Sequence, residues 1–362
     1  MKTLISNYQA TLILIVIIVS TAIVFLPSII IQIAHQDSWL SIILLFMIAP
    51  GFIFVYYALC QKMGRTNLIQ FTRKTFGKYL YIPFILFTII AFIVLSGTIV
   101  RETAEVMITA YMPLTPLWFF NFTIIFTAAI LIYYGLEVIG RCLEIFFYLF
   151  LSSFLLIIIL LIPDMSLNLL QPVLGEGIMP VLKGIYPGLL FFSELFIILI
   201  LAPHLTQKGK VLKPLLSANF FAGGILLIVI LSILTLFGSN YAQNLTIPLV
   251  VVNSYVEKFK IVERLDPLFI FYWIGGGIFK VSIFMYVIVY SAQKLFKLST
   301  YHIFIPMIIP PVYYFSFYYF QNLAQLTDFL TSSIHWFLGI LILYPALLLI
   351  ISWIRGVDCS ET

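Results

Sequence analysis

Ten stretches of about 20 apolar residues are spread along the chain, and each is long enough to cross a hydrocarbon layer of roughly 30 Å as a helix. They lie at 9–32, 39–60, 80–109, 117–134, 143–162, 186–203, 215–238, 267–292, 302–320 and 336–354. Charged and turn residues fill the gaps. No run alternates with period 2, so a β-barrel, the other way to satisfy backbone groups in lipid, is excluded. With 63% hydrophobic and 9% charged residues among 362, a soluble chain could not cover its surface. A disordered chain would be far less apolar, and three cysteines are too few for a disulfide framework. The sequence predicts one all-α, polytopic membrane domain of ten transmembrane helices over residues 1–362.

The basic residues predict its orientation. Thirteen of the 19 fall on one side: Lys2, Lys62, Arg65, Arg73, Lys74, Lys78, Arg141, Lys208, Lys210, Lys213, Lys294, Lys297 and Arg355. By the positive-inside rule both termini are cytoplasmic. Cys60, Cys142 and Cys359 fall on that same side, where thiols stay reduced. The first span runs past the length of a signal h-region and lacks an Ala-x-Ala site, so it reads as retained. The net charge of +5 follows from this bias and needs no nucleic-acid partner; the lipid bilayer is the surrounding medium. The basic gap 61–79 is either a plain topogenic loop or a short amphipathic helix resting Leu68, Ile69, Phe71 and Phe76 on anionic lipid. On the other side, 163–185 reads as a broken cap. Segment 239–266 reads as an exposed amphipathic helix carrying Glu257, Lys258, Lys260, Glu263, Arg264 and Asp266.

Charges within the spans cost on the order of 2.5–3.5 kcal/mol each, so each calls for a reason. Glu194 lies about 12–13 Å from either end of span 6 at 1.5 Å per residue. It reads as a ligand-amine or proton site, or as a neutral carboxyl bonded to a neighbouring helix. Lys280 is midway along span 8, just after Gly275-Gly276-Gly277. It can take a ligand carboxylate, replace a sodium ion, pair with Glu194, or snorkel outward. The glycines either flex the helix or admit a close neighbour. Arg101, Glu102 and Glu105 fall near the outer end of span 3, where the i,i+4 pair Arg101–Glu105 reads as an interfacial ion pair or a vestibule gate. Glu137, Arg141 and Glu144 read as a clamp at the 4–5 turn. The four histidines fit no metal-ligand spacing, and no P-loop, nucleophile elbow or HExxH occurs. No enzyme activity, metal or cofactor is expected.

Ten spans with both ends on one side suit two five-helix halves of inverted topology, 1–162 and 163–362. In such folds the first helix of each half is interrupted at mid-membrane beside the ligand. The candidate breaks are Ser20-Thr21-Ala22, followed by Pro27, in span 1, and Pro187-Gly188 with Ser193-Glu194 in span 6.

Five short segments, in order on this frame, carry a resemblance. They are Gln36-Asp37-Ser38-Trp39, Tyr134 to Arg141, Gln171 to Gly177, Ser193-Glu194 and Glu263 to Pro267. The chain resembles the spore germination permease family, the B subunits of GerA-type nutrient germinant receptors, within the amino acid–polyamine–organocation superfamily. The resemblance implies a LeuT-like fold with a pocket between spans 1, 3, 6 and 8. Carried over by position, that pocket involves Ser20, Thr21 and Ala22, then Ser96, Gly97 and Thr98, then Phe192, Ser193 and Glu194, and Lys280. It also implies an amino acid or nucleoside as the nutrient, A and C subunits as partners, and the inner membrane of the endospore as the location. Three features depart from the family pattern. Span 1 has Ser-Thr-Ala where relatives often carry glycine, span 6 has no glycine between Leu189 and Ala202, and Lys280 belongs to no family motif. A proton-coupled amino acid transporter working through Glu194 is the alternative, and a ligand-opened channel is a third class.

Overall fold

All ten stretches fold as helix in the computed structural model of the chain, which describes residues 4–207, 209–255 and 266–359. Span 1 is α1 (Asn7–Ala34), and span 2 is α2 (Ser38–Ile48) with α3 (Pro50–Met63). After the short α4 (Leu68–Phe76) come α5 (Tyr81–Val106), α6 (Leu117–Tyr134) and α7 (Leu136–Leu161) as spans 3, 4 and 5. Span 6 combines α8 (Ile178–Phe192) and α9 (Ile198–Leu201); span 7 is α10 (Leu212–Ala242). The short α11 (Pro248–Tyr255) precedes span 8, α12 (Asp266–Phe296). Span 9 is α13 (Ile305–Tyr314) with a π turn at Phe315–Tyr319, and α14 (Leu323–Asp328) leads into span 10, α15 (Ile334–Ile354).

Among the described residues, eight helical runs are long and apolar enough to cross a membrane. The first, Asn7–Met63, holds two of the ten spans. Its 57 residues amount to roughly 85 Å of helix at 1.5 Å per residue, and the chain reverses at His35, where φ is 47°. The ninth span is shorter than these eight.

Local chemistry sets the ends. Ser6 Oγ accepts the Gln9 N–H and Gln9 Oε1 accepts the Ser6 N–H, both at 3.0 Å, a reciprocal cap for α1. Asn67 Oδ1 caps α4 through the Gln70 N–H at 2.9 Å. Gly135, at φ 94°, turns α6 into α7 in a conformation that a Cβ would penalise. Ahead of α1, the Ile5 N–H donates to His204 O at 2.9 Å and the Thr206 N–H donates to Ile5 O at 3.0 Å. This backbone bridge ties the start of span 1 to the end of span 6, on the face that carries both chain ends.

Lipid tails are as apolar as leucine, so helices hold together through close packing and buried polar bonds. α1 is buried over most of its length, and so is α12 from Gly276 to Gln293, whereas α6 and α7 turn Phe122, Phe126, Ile145 and Tyr148 outward. The three glycines of α12 do not break it. Successive helical residues point about 100° apart, and each glycine meets a different neighbour: Gly275 faces Phe146 of α7, Gly276 faces Ser20 of α1, and Gly277 faces Thr103 of α5.

The basic gap contains an amphipathic helix, α4, but its apolar face docks on protein. Leu68, Ile69 and Phe71 are buried, Phe76 stacks on Phe84 at 4.5 Å, and Thr72 Oγ1 bonds the Tyr344 hydroxyl of α15. On the opposite face, two of the segments that carry the resemblance clasp each other. Gln36 Nε2 donates to Pro172 O at 3.2 Å, the Leu174 N–H donates to Asp37 Oδ1 at 2.9 Å, and His35 Nε2 lies 3.7 Å from Glu176 Oε2. Within 239–266, α11 is helical, and Glu257, Lys258, Lys260, Glu263 and Arg264 lie outside the described residues.

Candidate functional site

Spans 1, 6 and 8 meet at one buried ammonium. Lys280 Nζ lies 2.8 Å from Glu194 Oε2 and donates to Thr21 Oγ1 at 2.7 Å. The Phe284 ring flanks it at 5.5 Å. Lys280 is 0% exposed and Glu194 3%. The ammonium approaches Oε2 off the hydrogen-bond direction, so the contact is a charge pair and Thr21 takes the directed bond. Of the alternatives that the sequence leaves open for Lys280, pairing with Glu194 is the one realised.

Span 6 changes its winding at this point. α8 gives way to a 3-10 segment, Ser193–Ile197, before α9 resumes. Tighter winding leaves main-chain carbonyls in need of other partners. Tyr56 of α3 supplies one: its hydroxyl lies 3.1 Å from Ser193 O and 3.2 Å from Leu341 O. Sequence reasoning missed Tyr56, whose only signal is a hydroxyl within an apolar span.

Span 1 differs from its expectation, because α1 runs unbroken through Ser20, Thr21 and Ala22. None of these residues is a glycine, and the flanking isoleucines and valines are packed on all sides. Pro27 withholds one donor from the carbonyl four residues earlier without unwinding the helix. Ser20 Oγ has no hydrogen-bond partner among the described residues, and its Cβ would stand 3.1 Å from a Cβ added at Gly276. Ala22 and Phe192 are fully buried apolar neighbours.

The span 3 candidates form no hydrogen bond to this centre. Ser96 Oγ donates to Phe92 O at 2.6 Å and Thr98 Oγ1 to Val94 O at 2.9 Å, both within their own helix. Gly97 admits Phe315 of span 9, with 2.5 Å between that Cβ and one built on the glycine.

Five residues further along span 3 is a residue absent from the sequence-derived site. Glu102 is 2% exposed, its Oε2 has no hydrogen-bond partner among the described residues, and it is within Coulombic reach of Lys280 and Glu194. Beside it, Arg101 and Glu105 pair at 2.8 Å with little exposure, and Arg101 Nη1 donates to Phe320 O at 2.9 Å. The pair is therefore a buried tether to span 9 instead of an interfacial one. The reason is length: the helical run continues to Tyr111, so residues 101–105 stand inside it.

Two cavities flank the centre along spans 1 and 6. One, of about 430 Å³, opens between α1, α8 and α15, lined by Gln32, Lys183, Tyr186 and His335. The other, of about 660 Å³, lies on the face of the chain ends, lined by Arg65, His204, Tyr290, Lys294 and His302. Beside Ser20, where α1, α7 and α12 meet, is a crevice of about 20 Å³, room for roughly one water. The centre is occluded.

An all-helical membrane bundle with its buried charges at the crossing of spans 1, 6 and 8 belongs to the LeuT-like transporter fold. The chain superposes on MHP1, a nucleobase-cation-symport-1 family transporter in a closed conformation with bromovinylhydantoin bound, with a TM-score of 0.71 at 12% identity, covering 94% of this chain and 78% of that one. It also superposes on MhsT in complex with L-phenylalanine, with a TM-score of 0.65 at 15% identity, covering 96% and 89%. Sequence narrows the class. The family described as "Spore germination protein" matches residues 4–324, and the chain belongs to that family. Among its relatives, spore germination protein KB of Bacillus subtilis (strain 168) is 24% identical over 301 residues, 82% of this chain and 80% of that protein. Spore germination protein XB of Bacillus anthracis is 27% identical over 255 residues, 70% and 71% respectively.

Proposed function

We propose that this chain is a nutrient-binding B subunit of a spore germinant receptor, acting with A and C subunits in the inner membrane of the spore, with both termini cytoplasmic. The nutrient, an amino acid or nucleoside, binds at mid-membrane between spans 1, 3, 6 and 8. The observation that carries this reading is the Lys280–Glu194–Thr21 centre, which joins three spans through one buried cation. Membership of the spore germination family supports the biological setting.

The pair suits a zwitterion. An amino acid entering the centre exchanges partners without changing net charge: its carboxylate takes the Lys280 ammonium and its own ammonium takes Glu194. The helices then lose the direct charge pair between spans 6 and 8 and are bridged through the ligand. Binding shifts the balance of conformations only to the extent that it favours one of them, and span 6, already rewound at Ser193–Ile197, is the element whose setting changes.

A second reading, a proton-coupled amino acid transporter, is favoured by the cavities on both sides of the occluded centre. Sealed proteoliposomes separate the two, by comparing equilibrium binding of labelled amino acids and nucleosides with uptake under an imposed proton gradient. Saturable binding without accumulation is the expected result; gradient-driven accumulation makes the chain a transporter first. At the site, Glu194→Gln should shift the nutrient dose–response at least tenfold at near-normal protein level. An unchanged curve removes Glu194 from the site.

A further inference from the structure

Span 7 has two unlike sides. α10 buries Leu215, Ala218, Asn219, Ala222 and Leu226 in the bundle, where it packs on α1, α2 and α3. Its other side, Lys213, Leu216, Ser217, Phe220, Phe221 and Gly224, keeps the i, i+3, i+4, i+7 spacing of one helix face and is not buried. Phe220 is 64% exposed and Phe221 53%, and a Cβ built on Gly224 meets nothing within 4 Å. Where this stripe nears the face of the chain ends, a groove of about 610 Å³ opens between α3 and α10. Tyr57, Lys210, Lys213, Ser217, Phe220 and Phe221 line it.

Two ammonium groups share the groove, and no acidic residue is among its described lining. Among the described residues neither lysine has a carboxylate within 4.0 Å, and the chain has no Asp or Glu between Glu194 and Glu257. The positive-inside rule accounts for the sign of charge on this face. It does not account for two cations held at one groove. The backbone that carries them is fixed there: Gln61 Nε2 donates to Gly209 O at 2.6 Å and Asn7 Nδ2 to Lys210 O at 3.0 Å. Nor does α10 gain from Lys213, since a cation in the first turn of a helix opposes its dipole.

Depth completes the match. From Lys213 to Gly224 the helix rises about 16 Å at 1.5 Å per residue, close to one leaflet of a hydrocarbon core of roughly 30 Å. Cations and hydroxyls therefore stand at the membrane surface, and a bare apolar wall runs from them toward the midplane.

We propose that this groove binds an anionic phospholipid of the leaflet on the side of the chain ends. Lys210 and Lys213 take its phosphate, Tyr57 and Ser217 supply hydroxyls, and its acyl chains lie along Leu216, Phe220, Phe221 and Gly224. The headgroup then borders the segment whose Thr206 N–H bonds Ile5 O, so lipid charge bears on the tie between spans 1 and 6. This site is separate from the Lys280 centre and needs no nutrient.

The test uses the full chain, with its partner subunits where needed, in nanodiscs of phosphatidylcholine into which phosphatidylglycerol is titrated. The expected result is a melting temperature that rises and saturates. Two lysines at an anionic surface are worth about thirtyfold in affinity, so Lys210→Gln with Lys213→Gln should raise the half-saturating fraction at least tenfold. Lys78→Gln with Lys297→Gln, which removes as much charge from the same face outside the groove, should leave it unchanged. An equal effect of the two double variants, or no lipid dependence in the wild type, overturns the proposal. So does an equal rise with soluble glycerol phosphate in phosphatidylcholine discs, which makes the ligand a free phosphate. Location is read with p-benzoylphenylalanine in place of Phe220. Its adducts should be richer in phosphatidylglycerol than those of the same group in place of the outward-facing Phe126 of α6. Equal enrichment at both positions, or an adduct with a partner subunit in place of lipid, overturns the proposal as well.

Discussion

Spans 1 and 6 occupy matching places in the two halves of the fold, run in opposite directions, and solve the same problem differently. Each carries one proline inside the helix on the side away from the chain ends, Pro27 in α1 and Pro187 in α8, and each presents a polar residue about two turns nearer the other face, Thr21 and Glu194. α1 stays helical throughout, while span 6 tightens to 3-10 winding at Ser193–Ile197. The difference follows the charge. A neutral hydroxyl can take a bond from a neighbour without disturbing its helix, whereas a buried carboxylate must be brought against a cation. Span 6 spends helical regularity to do so, and Tyr56 covers a carbonyl at the change of winding. Buried charge alone does not interrupt a span, since α12 carries Lys280 and α5 carries Arg101, Glu102 and Glu105 without a break; the change of winding belongs to span 6, where Glu194 meets the cation of another helix.

The largest effect that sharpens this contrast comes from Lys280→Ala. It strands Glu194 in span 6, and losing one partner of a buried pair costs about 3–5 kcal/mol. The purified protein should melt far lower, with recovery when Glu194→Gln is added; no recovery would mean that the pair is not what holds span 6. On the span 1 side, Thr21→Val removes a single bond to a charged donor, worth about 1.5–3 kcal/mol. A melting-temperature loss as large as that of Lys280→Ala would erase the distinction between the two spans. Gly277→Ala pushes a methyl group to 2.5 Å from Thr103 Oγ1, an overpacking cost of about 1–3 kcal/mol. It should lower stability more than Gly276→Ala, which meets Ser20 at 3.1 Å. Smallest of all is Pro27→Ala. A regained hydrogen bond of about 0.5–1.5 kcal/mol is offset by a looser unfolded chain, about 0.4–1 kcal/mol, so both stability and nutrient response should hardly move. Loss of the response in Pro27→Ala would show span 1 to be the working hinge.

Much of this was legible in the residues. The ten spans follow from hydropathy and bilayer thickness, and Glu194 and Lys280 announced themselves by the cost of burying charge at mid-membrane. Thr21 was named through the expected break, yet the helix there is whole, because Ser, Thr and Ala keep helical geometry when Ile and Val pack around them. Glu102 is named among the charges of span 3 but stays outside the candidate site, because its neighbours Arg101 and Glu105 explain each other and because depth depends on how far a helix overshoots the bilayer, which hydropathy does not report. The role of Gly275–Gly277 needed three neighbouring helices to become visible. The apolar face of α4 could be read from its pattern, but pattern does not distinguish lipid from a facing helix as its cover. Rotation and depth are set by tertiary packing, and these are the quantities on which the site turns.

The hydrogen bonds that join Ile5 to the end of span 6 are made by the main chain. The two bonds themselves do not read side chains, but Ile5 and Leu205 are fully buried and Ser6 caps α1, so packing and capping still restrict these positions. Proline at position 5 or 206 breaks one of these bonds outright, because each position supplies its N–H. The seam on this face is thus guarded in part by what the chain must avoid, which a comparison of relatives seeking a shared residue there would pass over.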